Sequence, residues 1–293
     1  MSHARSMNIE DRRHEHYFVP QPTMYPFMTA VSLFFLASGF VLNINNYGVG
    51  LYGMLIGLAG ILYVLVHWFG AVIEEAQTGR YHRWEDLSFR HGMIWFIASE
   101  VVFFGAFFGA LFYERVISVP DLAGQLIAHG TTLWPDFSAV WPTAGPAGPD
   151  FKPMGAAGIP AVNTALLLSS GVTLTVAHWG LLKNNRRQLN IALAATIALG
   201  ILFLLLQGYE YYHAYTDLGL TLGAGVYGAT FFMLTGFHGF HVTLGAIMLI
   251  VILGRTLKGH FTPERHFGFE AVAWYWHFVD VVWLLLFIFV YWL

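Results

Sequence analysis

Long apolar stretches, separated by short polar segments, dominate the pattern of this chain. No Asp, Glu, Lys or Arg occurs from His16 to Ile73, and this run is interrupted only by a polar turn at Asn43–Gly48. A transmembrane helix needs about 20 mostly apolar residues. On this rule the sequence predicts seven membrane-spanning helices, at about 25–43, 49–73, 92–113, 161–182, 190–212, 225–254 and 271–292.

The composition supports a membrane protein and excludes several other classes. Of the 293 residues, 57% are hydrophobic and only 11% are charged, whereas ordinary soluble domains carry about 25% charged residues. A net charge of -3 argues against a nucleic-acid-binding protein. The absence of Cys excludes disulfides and thiolate metal sites. The predicted fold class is therefore an all-α integral membrane protein.

The distribution of positive charge predicts the orientation of the helices. Of the 14 Lys and Arg residues, 12 lie in the N-terminal tail or in the connections after the second, fourth and sixth spans. The other two, Arg115 and Lys152, lie in the connection after the third span. The positive-inside rule then places the N-terminus inside and the C-terminus outside.

The predicted organisation has three parts. Residues 1–24 form a polar tail without a signal or transit peptide, which we expect to be cytosolic. Residues 25–73 form the first two helices, and residues 74–293 form the last five. This last part includes a Pro- and Gly-rich outer loop at about 116–159. Loops of this length are often functional, so the loop is either a docking surface or a local insertion.

Three acidic residues fall inside or near the predicted spans, where a charge is costly and a functional role is a common explanation. Glu100 is surrounded at helical spacing by apolar side chains, which disfavour its charged form. Either a proton-handling role or a structural hydrogen bond would explain it. Asp280 can pair with His277 one helical turn earlier, so we expect a structural buried pair. Glu210 lies in an aromatic outer belt, where we expect an acid that reaches the interface.

Histidines in or near the spans raise the question of a haem or a metal ion, because imidazole binds both. Neutral histidines in membranes also commonly form hydrogen bonds between helices, and spacing alone favours that explanation here. The histidines concerned are His67, His178, His238, His241 and His277.

The last span carries a long motif: from His266 to Trp283 the chain reads HFGFEAVAWYWHFVDVVW. This motif closely resembles the signature of subunit III of haem–copper cytochrome c oxidases, and the resemblance covers about residues 17–293. Ala224 departs from the family, which usually has Asp there. Further matching segments occur in family order at Ser99–Val101, Trp141–Pro142, Asn163–Thr164, Ser170–Gly171, Ala177–His178, Gln207, Tyr209–Tyr211, Gly225–Gly228 and Thr235–Val242.

The resemblance implies an accessory subunit of a proton-pumping oxidase that reduces O2 to water. It implies that helices 1–2 and 3–7 form a V whose cleft holds phospholipids. It also implies that this chain has no catalytic residue, haem or metal, because the haems and copper belong to subunits I and II. Glu100 would be a buried acid near the side where subunit I takes up protons.

The expected partners are subunit I as the main contact, subunit II, phospholipids and cytochrome c as electron donor. Related quinol oxidases lack the first two helices in this subunit, so helices 1–2 favour cytochrome c over the quinol alternative. A stand-alone seven-helix transporter is the other alternative. With no transit peptide, the expected location is a bacterial inner membrane.

Basic and aromatic residues at the predicted inner helix ends are candidates for lipid headgroup binding, since Arg and Lys bind phosphate and indole N–H groups lie at headgroup level. The positive-inside rule alone could also explain the basic residues. We also expect the catalytic subunit to dock on spans four to seven through small and aromatic residues, because glycines such as those of span six allow close helix approach. The lipid candidates are Trp68, Glu74, His82, Arg90, Arg255, Lys258 and His260. The docking candidates are Gly225, Gly228, Gly236, Gly239 and Gly245.

Overall fold

Seven helices long and apolar enough to cross a membrane make up most of the part of the chain that the structure describes. The computed structural model describes residues 18–125, 134 and 136–293, and within these ranges it contains no strand. The predicted all-α class and seven spans are therefore confirmed. The helices are α1 (Tyr25–Ile44), α2 (Val49–Gln77), α3 (Arg83–Leu122), α4 (Ile159–Leu182), α5 (Arg186–Thr216), α6 (Gly225–Leu257) and α7 (Phe267–Trp292).

The third helix is longer at both ends than the predicted span of 92–113. At its start, a carboxylate oxygen of Glu85 accepts the backbone N–H of His82 at 2.8 Å, which satisfies one of the free donors at a helix N-terminus. At its end, α3 continues through a π-helical turn (Glu114–Ser118) and a last α-helical turn (Val119–Leu122). A rule based on apolar runs misses these extensions because charged residues interrupt them, such as Glu85 and Asp86 at the start and Glu114 and Arg115 at the end. The loop predicted from residue 116 therefore begins after Leu122.

The described residues form two compact units, which divide between Phe89 and Arg90. In the first unit, α1 and α2 form an antiparallel hairpin around a turn in which Asn46 has φ 62°. Gly57 of α2 lies directly against the backbone of Ser32 and Leu36 in α1, with no room for a Cβ atom. Small residues let membrane helices approach closely in this way.

The second unit consists mainly of the bundle α4–α7. Its centre holds the fully buried indoles of Trp276 and Trp283. The indole N–H of Trp283 donates to Thr164 Oγ1 at 2.9 Å, which links α7 to α4. Aromatic burial with a satisfied polar tip is the usual arrangement for a Trp in a packed interior.

Contacts at the two ends of the second unit show that successive helices run in opposite directions. At one end, the hydroxyl of Tyr291 in α7 donates to a carboxylate oxygen of Glu210 in α5 at 2.6 Å. At the other end, Arg186 at the start of α5 donates to the carbonyl of Phe261 between α6 and α7 at 2.6 Å. This up-and-down arrangement agrees with the alternation of charge in the sequence. The orientation in the membrane and the V-shaped cleft stay predictions.

The described part of the segment after α3 packs against the chain itself. Phe151 stacks on Tyr227 with ring centroids 5.3 Å apart, and the backbone N–H of Tyr227 donates to the carbonyl of Thr143 at 3.2 Å. The backbone N–H of Lys152 donates to the carbonyl of Leu218 at 2.9 Å. The segment thus covers the connection between α5 and α6, and Ala224 lies buried there at the N-cap of α6.

Candidate functional site

Glu100 of α3 and His241 of α6 form a hydrogen-bonded pair. The Oε2 atom of Glu100 lies 2.9 Å from Nε2 of His241, and the two side chains are 20% and 9% exposed. Glu100 is ten residues beyond Arg90, which at 1.5 Å per residue corresponds to about 15 Å along the helix axis. The pair therefore lies well inside α3 and α6.

The hydrogen bonds of His241 determine how many protons the pair holds. Its Nδ1 atom lies 2.6 Å from the carbonyl oxygen of Phe237. A carbonyl only accepts, so Nδ1 carries a hydrogen and Nε2 is left to face the carboxyl group of Glu100. A hydrogen bond there requires one further proton, on either Glu100 or His241. The pair then holds one shared proton and is neutral overall.

Aromatic rings surround this pair. The rings of Phe104 and Phe103 lie 5.0 and 5.9 Å from the imidazole of His241, and the hydroxyl of Tyr275 donates to the backbone carbonyl of His241 at 3.3 Å. In such surroundings a net charge is costly, and a neutral pair avoids that cost. The apolar jacket expected around Glu100 is present, but sequence reasoning missed His241 as its partner.

The predicted pair of His277 and Asp280 is only partly buried. Nδ1 of His277 lies 3.5 Å from Oδ2 of Asp280, and the side chains are 45% and 9% exposed. Asp280 fits the prediction of a buried acid, whereas His277 lies at the surface of the unit. Gly171 of α4 is packed directly against the Asp280 carboxylate, which leaves no space for a side chain at that position.

Glu210 differs from its prediction. We expected an acid reaching the interface, but the side chain is fully buried between helices and accepts a hydrogen bond from Tyr291. Its second oxygen has no hydrogen-bond partner among the described residues. The expectation is wrong because an aromatic surrounding in the sequence does not show which face of α5 is covered by α7.

A basic cluster lies at the Arg255 end of the second unit. The guanidinium of Arg255 stacks over the ring of Phe261 at 4.3 Å, and Arg186 binds the carbonyl of the same residue. Nε of Arg255 and Nη1 of Arg186 are buried without a hydrogen-bond partner among the described residues. Burial and the positive charges of Arg255 and Lys258 lower the pKa of His260. Such a cluster favours an anion. Sequence reasoning missed Arg186.

The other lipid candidates are in different surroundings. Trp68 stacks on Tyr25 with centroids 5.9 Å apart, and the side chain of Glu74 is exposed. His82 is half-buried at the start of α3. Arg90 forms an ion pair with Glu270 at 2.5 Å.

The glycines of α6 serve mainly the chain itself. Gly245 packs against Trp276, Gly228 against the backbone of Thr221, and Gly225 against the backbone of Ala144 with φ 70°. Gly239 has nothing within 4 Å of the position of a Cβ atom. Most of the predicted docking glycines are thus used within the unit.

The fold and these contacts define a multi-pass helical membrane protein in which ionisable groups of different helices, such as Glu100 and His241, form pairs. The chain belongs to the cytochrome c oxidase subunit III family, whose model matches residues 14–293. It is 40% identical to cytochrome c oxidase subunit 3 of Nanger granti over 277 residues, covering 94% of this chain and 96% of that protein. The corresponding protein of Phoca vitulina is 39% identical over 279 residues, with 94% and 96% covered.

The family membership confirms the resemblance seen in the sequence. The chain is a subunit of a respiratory oxidase complex that contains other oxidase subunits. Both of these relatives are mammalian, and the expected bacterial membrane stays a prediction.

Proposed function

We propose that this chain is a non-catalytic accessory subunit of a proton-pumping cytochrome c oxidase. It supports proton uptake, binds structural phospholipids and protects the catalytic subunit during turnover. Its main contact is subunit I, with subunit II as a further neighbour, and cytochrome c delivers electrons to the complex. The haems and copper reside in those partner subunits. The observation that carries this proposal is the hydrogen-bonded pair of Glu100 and His241, whose atoms Oε2 and Nε2 lie 2.9 Å apart.

The geometry of the pair supports an auxiliary role in proton uptake. A carboxyl and an imidazole that share one proton can pass it between them without creating a net charge in the membrane. The hydrogen bonds of the pair end at the backbone of Phe237, and no further ionisable side chain continues them among the described contacts. A group of this kind can tune proton delivery or helix packing nearby, whereas a complete proton path needs a longer chain of groups.

The basic cluster supports the lipid part of the proposal. Arg255 and Arg186 both have a buried N–H group without a partner, and a buried donor left unpaired costs about 1–3 kcal/mol. A phosphate oxygen would satisfy these donors, and the guanidinium fork of Arg is suited to phosphate. A phospholipid headgroup at the membrane surface supplies that group.

The test compares the purified oxidase complex with and without this chain. We expect initial O2 reduction to be retained without the chain, proton uptake to slow and inactivation during sustained turnover to accelerate. Adding the purified chain back should restore both properties. Complete loss of initial O2 reduction would instead indicate a catalytic role, and unchanged durability would contradict the protective role.

A further inference from the structure

Two histidines and a glutamate converge where α4 ends and α7 begins. Nε2 of His266 lies 3.2 Å from Oε1 of Glu270, and Nε2 of His178 lies 3.9 Å from the same oxygen. The three ligand atoms all lie within 4.8 Å of one another. The side chains of His178, His266 and Glu270 are 28%, 9% and 16% exposed. This cluster plays no part in the function proposed above.

The orientation of His266 creates a mismatch in the cluster. Its Nδ1 atom lies 3.1 Å from the carbonyl oxygen of Thr262, so Nδ1 carries the hydrogen and the neutral ring presents a lone pair at Nε2. That lone pair faces Oε1 of Glu270, which also only accepts when ionised. A positive species, either a proton on one of these two atoms or a metal ion bound by both, must lie between them.

The remaining contacts of the cluster match those of metal ligands. A metal-bound His usually donates its other ring N–H to a carbonyl or carboxylate, as His266 does to Thr262. Arg90 binds the second oxygen of Glu270 at 2.5 Å, which fixes the carboxylate with Oε1 towards the two imidazoles. The Nε2 atoms of His178 and His266 are buried and have no hydrogen-bond partner among the described residues.

We propose that His178, His266 and Glu270 bind one divalent metal ion, and that Zn²⁺ is the ion that fits. Two imidazoles and one carboxylate are a common ligand set for zinc, and tetrahedral zinc places its ligand atoms about 3.4 Å apart. The two separations from Glu270 Oε1, 3.2 and 3.9 Å, lie on either side of that value, and the third lies within 4.8 Å. Zinc has no redox chemistry, so the ion would join α4 to α7 and leave electron transfer to the partner subunits.

The experiment measures zinc in the purified oxidase complex. Wild-type and variant complexes are treated with a chelator, equilibrated with Zn²⁺ and dialysed, and the zinc-to-haem ratio is determined by elemental mass spectrometry. We expect His266→Gln to lose one zinc per complex relative to the wild type. His213→Gln is the matched control, because His213 and Asp217 form another pair at i, i+4 spacing, with 2.6 Å between Nδ1 and Oδ2, but without a third ligand.

A second variant guards against a failure of the first to assemble. His178→Gln removes the ligand that is most exposed and should weaken zinc binding by about 10-fold or more. Equal zinc-to-haem ratios in the wild type, His266→Gln and His178→Gln would overturn the proposal. The cluster would then be an ion pair bridged by a proton. Loss of zinc from the His213→Gln control to the same extent would overturn it equally.

Discussion

The indole N–H of Trp276 in α7 donates a hydrogen bond to the hydroxyl of Ser170 in α4 at 2.8 Å. The ring of the same tryptophan lies against two glycines: a Cβ atom at Gly200 of α5 or Gly245 of α6 would come within 2.7 or 2.8 Å of ring carbons. One buried side chain thus joins all four helices of the bundle. Its packing sets how closely α5 and α6 approach α7.

Gly200→Ala should therefore destabilise the bundle. The added methyl group would collide with Trp276, and overpacking of a well-packed core costs about 1–3 kcal/mol. Gly208→Ala, on the same helix with nothing within 4 Å of its Cβ position, should be neutral or slightly stabilising, since Ala favours a helix over Gly by up to about 1 kcal/mol. Both effects are measured by heating the detergent-solubilised complex and monitoring the release of this chain as the temperature rises. Equal midpoints in the two variants would disprove the packing argument.

Tyr291→Phe should destabilise the opposite end of the bundle. It removes the hydroxyl that donates to the buried Glu210, at a cost of about 1–3 kcal/mol for the unsatisfied group. Tyr212→Phe is the matched control, because Tyr212 is 66% exposed, and it should have little effect. A double-mutant cycle with Glu210→Gln should give a coupling energy of about 0.5–3 kcal/mol. Additive effects in that cycle would show that the hydrogen bond is unimportant.

The helices could be predicted from the sequence because length and apolar composition alone determine membrane spans. The ends of α3 could not, since they depend on the cap formed by Glu85 and on a π-helical turn. The partner of Glu100 was missed although Glu100 and His241 both lie in the middle of predicted spans. Which faces of α3 and α6 meet is a tertiary property. The same reason explains Glu210, whose burial depends on α7.

Arg255→Ala should reduce phospholipid binding to the complex. The substitution removes the guanidinium that stacks over Phe261 and has a buried, unpaired Nε. The phosphate of the headgroup would then lose the planar group that binds it. We expect about one fewer bound phospholipid per complex by native mass spectrometry. Arg187→Ala removes an exposed arginine from the neighbouring connection and serves as the control for charge alone. Unchanged lipid retention in Arg255→Ala, or equal loss in both variants, would count against a specific site.

A hydrophobic carbodiimide should label Glu100 before Asp280 or Glu210. The reagent attacks protonated carboxyl groups from apolar surroundings, and the shared proton makes such a form available at Glu100. Access follows the same order, because the side chains of Glu100 and Asp280 are 20% and 9% exposed and Glu210 is fully buried. Peptide mass spectrometry of the labelled complex locates the adduct, and Glu100→Gln should abolish it. Dominant labelling at Asp280 or Glu210 would contradict the assignment.

Glu100→Gln should separate hydrogen bonding from proton sharing. The amide N–H of Gln can donate to Nε2 of His241, so the link between α3 and α6 is kept and the complex should assemble normally. The amide cannot ionise, so the pair no longer exchanges a proton. We expect most of the turnover to remain, with altered proton uptake or faster inactivation during sustained activity.

Glu114→Gln places the same substitution in the π-helical turn of α3, outside the pair, and should match the wild type. Complete loss of activity in an assembled Glu100→Gln complex would refute an auxiliary role. Wild-type behaviour in every assay would show that the pair serves only packing, because the wild type and Glu100→Gln differ only in whether the pair can exchange a proton.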